Sequence, residues 1–311
     1  MSNFAIETTE LNKNYGKRLA VNKLNLKVKI GEVHGFLGPN GAGKSTTIKM
    51  LVGLLRPTSG SIKIMNQDAT GDKPKIRQKI GYLSELPSYP RHLTGIELLD
   101  VYGRMYGMSN EARKKRIPEL IKSVGLEGRG KDRISGYSKG MQQRIGMAQA
   151  MINDPEILIL DEPSMGLDPV GVVEMRNLIK DIAKSGKTIF FSSHILSEVS
   201  EICDYITILK QGVMLATGTI KDISNLAVGH RKIIVEVTEA NNKILKALEK
   251  FNLENIEVKN NIYSISLKLI KEDIRSDISK AITKSGGVIV AMHEEGKGLE
   301  DAFIELLEKG E

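Results

Sequence analysis

The chain is poor in the residues that build covalently stapled or metal-stapled folds. Its single cysteine, Cys203, excludes an internal disulfide, and five scattered histidines supply no Cys/His spacing for structural zinc. Cys203 therefore reads as a small buried hydrophobe. No run approaches the ~18 consecutive apolar residues that a membrane-crossing helix needs. The start, MSNFAIETTE, lacks the basic residues and apolar stretch of a signal peptide, so a cytoplasmic protein is expected. Nor does one sign of charge dominate: the net +7 comes from 45 basic and 38 acidic residues that are interleaved. Residues 113–116 (RKKR) form the one tight basic cluster, which reads as a solvated helix face in preference to a nucleic-acid contact. What remains, 41% hydrophobic and 27% charged residues over 311 positions, is an ordinary globular composition with length for about two domains.

Residues 38–46 read GPNGAGKST and fit the pattern G-x-x-x-x-G-K-[ST]. Gly38, Gly43, Lys44 and Ser45 take the fixed places, and Asn40, Gly41 and Thr46 lie in the same loop. Glycines let the backbone turn tightly and aim successive N–H groups at one point, and the dipole of a following helix reinforces this anion-binding nest. A triphosphate is the expected guest, with Lys44 bridging its β- and γ-phosphates and the Ser45 hydroxyl ligating Mg²⁺. A glycine-rich segment after a strand can also be a plain turn. Here an apolar run at 33–37 precedes it, and Ile48, Leu51, Val52 and Leu55 follow at helical spacing, which gives strand, loop, helix.

Along the rest of the chain, period-two alternation and turns at 15–17 and 30–31 predict strands at 4–8, 21–28 and 32–37. Tyr15 is either a turn residue, the simpler reading, or a surface on which a nucleobase stacks. Residues 61–65 and 80–83 read as strands, the second ending at Ser84-Glu85. From Thr94, with Glu97 as capping-box partner, to about Val124 the pattern is helical, so a helical insertion is expected between 94 and 151. Ser138 and Gly140 open a helix running to about Ile152; ordinary capping is the simpler reading there and phosphate binding the alternative. Residues 157–160 (ILIL) predict a strand buried on both faces, ending in Asp161 and Glu162. Ligands bind at that end of parallel sheets, so Asp161 can reach the Mg²⁺ that Ser45 holds while Glu162 orients a water. Residues 172–183 read as a helix and 188–192 as another buried strand. His194 follows at the same sheet end, where it can donate to a γ-phosphate oxygen. His34, inside an early strand, reads as structural. Residues 206–210 and 213–216 predict a hairpin about Gln211-Gly212.

The segments GPNGAGKST, GYLSE, YSKGMQQR, LILDEP, GLDP and FFSSH, in that order across residues 1 to about 223, resemble the nucleotide-binding subunit of an ATP-binding cassette (ABC) transporter. The resemblance implies an α/β P-loop NTPase fold of the ABC-cassette type: a parallel core sheet with helices, an N-terminal antiparallel β subdomain, and a helical subdomain at about 86–151. It implies that Tyr15 stacks on adenine, and that Ser138 and Gly140 belong to the signature segment usually written LSGGQ, which faces the ATP held by a second subunit. Asp168 would lie in the loop linking the two sites, and His194 would be the switch histidine at the γ-phosphate. The implied reaction is Mg²⁺-dependent attack of water on ATP, with Glu162, His194 and Lys44 catalytic and Ser45, Asp161 and Glu85 directed to the metal. Three positions depart from the family pattern. Glu85 stands where many relatives have glutamine, and Lys139 and Met141 replace a glycine and a glutamine of the signature. The wording from Glu85 to Leu98, with YSKGM, looks most like the ATPase subunits of bacterial and archaeal exporters, whose membrane subunits are separate chains. The implied partners are a transmembrane permease and a second ATPase subunit, identical or related, which hold the chain at the inner face of the cell membrane. No direct nucleic-acid binding is expected. The rival, a cassette ATPase acting on nucleic acid or ribosomes, often carries two cassettes or a very long coiled-coil insertion, and this chain has neither.

From Arg231 the pattern changes to strand, helix, strand, strand, helix, strand, a βαββαβ or ferredoxin-like α+β order. A last helix is expected to place Leu299, Ala302, Phe303, Leu306 and Leu307 on one face. The expected division is an ATPase domain at 1–223 and an accessory domain at 224–311. The accessory domain shows no catalytic cluster. A small packing module is its default reading, and dimerisation or regulation the alternative.

Overall fold

The computed structural model describes residues 3–71, 73–226, 231–251, 253–267, 274–295, 303–304 and 306–308. It divides into two compact units, residues 1–219 and 220–311.

The first unit opens with an antiparallel layer in which β2 (Arg18–Leu24) and β3 (Lys27–Lys29) both pair with β1 (Phe4–Tyr15). The strand expected at 4–8 in fact runs on to Tyr15. Glu10 takes a left-handed conformation, φ 46°, and register shifts beyond it break the alternation while the pairing continues. β4 (Val33–Leu37) leads into the glycine loop and α1 (Lys44–Leu51). β5 (Ser59–Ile64) and β6 (Gln67–Asp68) complete the antiparallel layer, in the order β2-β1-β5-β6. After α2 (Pro74–Arg77) and β7 (Ile80–Leu83) comes the helical region: α3 (Gly95–Met105), α4 (Asn110–Ser123) and α5 (Lys139–Ala150). The continuous helical pattern expected from Thr94 to Val124 is thus two helices. Gly107, at φ 75°, follows the end of α3, and the Ser109 hydroxyl caps α4. The capping box at the start of α3 is present: Thr94 Oγ1 accepts from Glu97 N–H, and Thr94 N–H donates to Glu97 Oε2. Caps of this kind stabilise by about 1 kcal/mol.

The basic cluster is only partly a solvated face. Arg113 is buried, donating to Asp100 Oδ1 and to the Met108 carbonyl, while Arg116 holds the Met151 carbonyl and Asp154. These two arginines tie the helical region together instead of presenting charge to a partner.

The main sheet adds β8 (Ile157–Asp161), β9 (Thr188–Ser193), β10 (Tyr205–Lys210) and β11 (Val213–Thr219), with α6 (Pro169–Ala183) and α7 (Leu196–Ile202) between them. Its order is β11-β10-β4-β9-β8-β7, parallel except where β11 returns beside β10. Every residue of β4, β8 and β9 is buried, which is why these strands read as largely apolar runs. His34 is structural as expected. It is fully buried, with Nδ1 2.6 Å from Glu32 Oε1 and Nε2 2.9 Å from Thr207 Oγ1. Register then fixes the strand exits. Leu37 stands opposite Ser193, and Asp161 opposite Ser192, so the chain leaves β4, β9 and β8 side by side.

The second unit contains α8 (Ile220–Leu226), β12 (Arg231–Val237), α9 (Asn242–Leu248), β13 (Leu253–Lys259), β14 (Ile262–Leu267), α10 (Arg275–Lys284) and β15 (Ile289–Glu295). Its sheet, ordered β13-β14-β12-β15, is antiparallel throughout. Ile233, Val235, Val237, Tyr263 and Ile265 of the sheet pack with Ile244 and Leu248 of α9 and Ile278 and Ile282 of α10. Leu299 and Ala302 of the expected last helix lie outside the described residues.

Candidate nucleotide site

Glycine is required at two loop positions for different reasons. A Cβ on Gly38 would stand 2.3 Å from the Leu209 carbonyl oxygen. Gly43, the residue capping α1, has φ 105°, and a Cβ there would lie 2.5 Å from the Ala20 carbonyl oxygen. Lys44 begins α1 and is 5% exposed. Its Nζ donates to the Gly38 carbonyl at 2.7 Å and the Pro39 carbonyl at 3.3 Å, and it pairs with Glu162 Oε1 at 3.1 Å. The second oxygen of Glu162, Oε2, lies 2.8 Å from His194 Nδ1.

Glu162 has φ 47°, a conformation uncommon outside glycine, and its N–H donates to Ser192 Oγ at 3.0 Å. This turn gives consecutive carboxylates different partners. Glu162 faces Lys44 and His194, while Asp161 Oδ1 accepts from Ser192 Oγ at 2.8 Å and from Ser45 Oγ at 3.1 Å. Asp161 is 1% exposed. Burial pushes its carboxyl above the usual range, the Ser192 and Ser45 hydroxyls pull it back, and the charges of Glu85 and Glu162 add to the rise. A buried carboxylate beside a hydroxyl is a hard oxygen donor pair of the kind that suits Mg²⁺. Among the described residues no group of three or more His, Cys, Asp or Glu could hold a metal by itself. Mg²⁺ does not require one, since it takes one or two carboxylates together with phosphate oxygens.

Gly43, Lys44, Ser45, Glu162 and His194 wall a cleft of about 570 Å³ whose lining also includes Tyr15, Asn40, Gly41, Thr46 and Glu85, and Asp161 meets that lining through Ser45. Tyr15 is half exposed at the end of β1, with Lys13 Nζ 5.3 Å from its ring centre. Gly38 is buried behind the loop surface. Ser138 and Gly140 are not brought into this cleft. They line a second depression of about 660 Å³ with Lys139, Met141 and Asp168, and Ser138 Oγ accepts from Met141 N–H as the cap of α5. Lys139 reaches across the Gly166 turn, where a Cβ would fall 1.9 Å from its Nζ. Gly166 and Leu167 border both depressions.

Sequence reasoning missed three contributors. Arg18 lines the cleft with Nη2 3.7 Å from where a Cβ on Gly41 would be. Ser192 joins the two carboxylate positions, and Glu198 enters the wall from α7. The adjacent serines that close the apolar run of β9 were the available signal for Ser192.

A family model described as ABC transporter matches residues 21–165. The bacitracin transport ATP-binding protein BcrA of Bacillus licheniformis is 36% identical over 308 residues, covering 98% of this chain and 98% of that one. The chain belongs to the ABC transporter ATP-binding family. This ABC subunit is also 38% identical over 244 residues to the linearmycin resistance ATP-binding protein LnrL of Bacillus subtilis, covering 78% of each. A solved dimer of the ATP-binding cassette MJ0796 in a post-hydrolysis state, bound to ADP and Pi, matches it with a TM-score of 0.63 at 28% identity, over 69% of this chain and 98% of that one. The ABC subunit therefore binds and hydrolyses ATP as part of a transporter. Among its described residues no helix is long and apolar enough to cross a membrane.

Proposed function

We propose that two copies of this cassette, or one copy and a related subunit, close head to tail over two ATP molecules and reopen on hydrolysis, driving export through a separate membrane permease. The observation that carries the reading is that Lys44 and His194 both engage the Glu162 carboxylate inside one cleft, while Ser138 and Gly140 lie in another depression of the same chain. A triphosphate entering the loop competes for Lys44. Its Nζ turns from Glu162 to the β- and γ-phosphate oxygens, and Glu162, released, orients the attacking water. His194 meets the γ-phosphate through its other ring nitrogen. Tyr15 stacks on adenine, and the backbone of Gly38, Asn40, Gly41, Gly43 and Thr46 shapes the phosphate cradle. Ser45 and Asp161, with Glu85 beside them, would hold Mg²⁺, which supplies charge neutralisation across the β- and γ-phosphates.

Ser138 and Gly140 complete the site from the opposing subunit, and Asp168 links the two sites. Residues to about 223 carry the ATPase and 224–311 an accessory unit. The names of the bacitracin and linearmycin relatives, together with the YSKGM wording, support export, with the subunit held at the inner membrane face by the permease. The test is Glu162→Gln: it should bind ATP, elute as an ATP-dependent dimer and lose at least about a hundredfold in ATPase rate, the scale of a positioned general base. Wild-type turnover in that variant would remove Glu162 from the role of base.

A further inference from the structure

Glu198 stands in the wall of the nucleotide cleft and has no part in the chemistry above. It lies in the first turn of α7 and is 5% exposed, a degree of burial that glutamate rarely reaches. Its Oε2 accepts from Ser193 Oγ at 2.9 Å, while Oε1, also buried, has no hydrogen-bond partner among the described residues. Leaving a buried acceptor unmatched is unfavourable, so packing alone does not account for a carboxyl here.

The Ser193 hydroxyl explains it. Ser193 precedes His194, and its Oγ also accepts from the N–H of Ile195, the residue after, at 3.0 Å. One hydroxyl thus closes a tight turn around the histidine, and Glu198 anchors that hydroxyl from the helix behind. His194 itself is 40% exposed and meets Glu162 through one ring nitrogen, so the turn decides where the other nitrogen stands. We propose that Glu198 is a positioning residue for ATP hydrolysis: through Ser193 it fixes the turn that carries His194 and sets where the imidazole meets the γ-phosphate. This rests on the role given to His194 above. Burial pushes the Glu198 carboxyl above its ordinary value, the Ser193 hydroxyl lowers it, the Glu162 charge raises it further, and His194 and Arg176 oppose that rise.

A double-mutant cycle on the full chain tests this, with steady-state Mg-ATP hydrolysis as the readout. Glu198→Ala should lower kcat about tenfold, as small misplacements of reacting groups do, and leave KM within about twofold. Glu198→Gln, which keeps an oxygen acceptor for Ser193, should recover most of the rate. In a His194→Ala background, Glu198→Ala should cost nothing further. If it multiplies the His194→Ala defect instead, Glu198 acts elsewhere and the inference is overturned. If His194→Ala is itself as fast as wild type, the role of His194 fails and this one with it. Should Glu198→Ala fold poorly, Ser193→Ala carries the same cycle with the same two outcomes.

Discussion

Lys44→Met separates the resting contact from the catalytic one. Methionine keeps most of the side-chain volume and removes the charge, leaving Glu162, 7% exposed, without its cation in the nucleotide-free protein. Removing one partner of a buried ion pair costs about 3–5 kcal/mol. The lower end applies here, because His194 still touches the other oxygen of Glu162. In a unit of this size about 3 kcal/mol lowers the melting temperature by roughly 6–12 °C. Calorimetry of the full chain without nucleotide, following the transition of the first unit, reads this directly. Lys44→Met combined with Glu162→Gln removes both charges and should recover most of the loss. A single variant that melts within about 1 °C of wild type would refute the reasoning, since about 1 kcal/mol already moves the transition by 2–4 °C. The ion pair would then contribute nothing at rest, and ATP would have no contact to displace.

Asp161 gives a pH prediction. Its folded carboxyl titrates above its unfolded value, so the contribution to stability is complete below the unfolded value, near pH 4, and is lost as pH rises through the folded one. Asp161→Asn should therefore melt higher than wild type at pH 7 without metal, show a flatter stability profile above about pH 4, and lose the extra stabilisation that Mg²⁺ with ATP confers. Melting curves across pH check all three. Tyr15→Ala should raise KM for ATP about 5- to 150-fold, the equivalent of ~1–3 kcal/mol of base stacking, while Tyr15→Phe stays near wild type. GTP should suffer equally, because any base offers a face to the ring; kinetics with both nucleotides decide it.

The glycine loop and the ends of β8 and β9 were legible because their chemistry is local: fixed spacing in one case, short, largely apolar runs followed by acids or histidine in the other. β1 was cut short in the reading because a left-handed Glu10 breaks the alternation that marks a strand. Arg113 read as solvated because its partner, Asp100, lies on a different helix. Ser192, signalled only by the adjacent serines that close β9, and Glu198 were missed for a related reason. Serine is ambiguous in any strand, and the burial of a glutamate depends on what the sheet register places around it. Ser138 and Gly140 stood out as a segment through the family resemblance, but only the folded chain shows them lining a depression apart from the glycine loop.

That separation makes one measurement decisive. Lys44→Met should disable the loop side of the proposed composite site, and Ser138→Arg its signature side. In a mixed dimer one of the two sites carries both defects and the other carries none. Each variant alone should be almost inactive, and mixing them after co-refolding or co-expression should restore ATP hydrolysis to roughly a quarter of wild type, since about half of the dimers are mixed and each has one intact site. A mixture no more active than its two components would contradict a site shared between subunits.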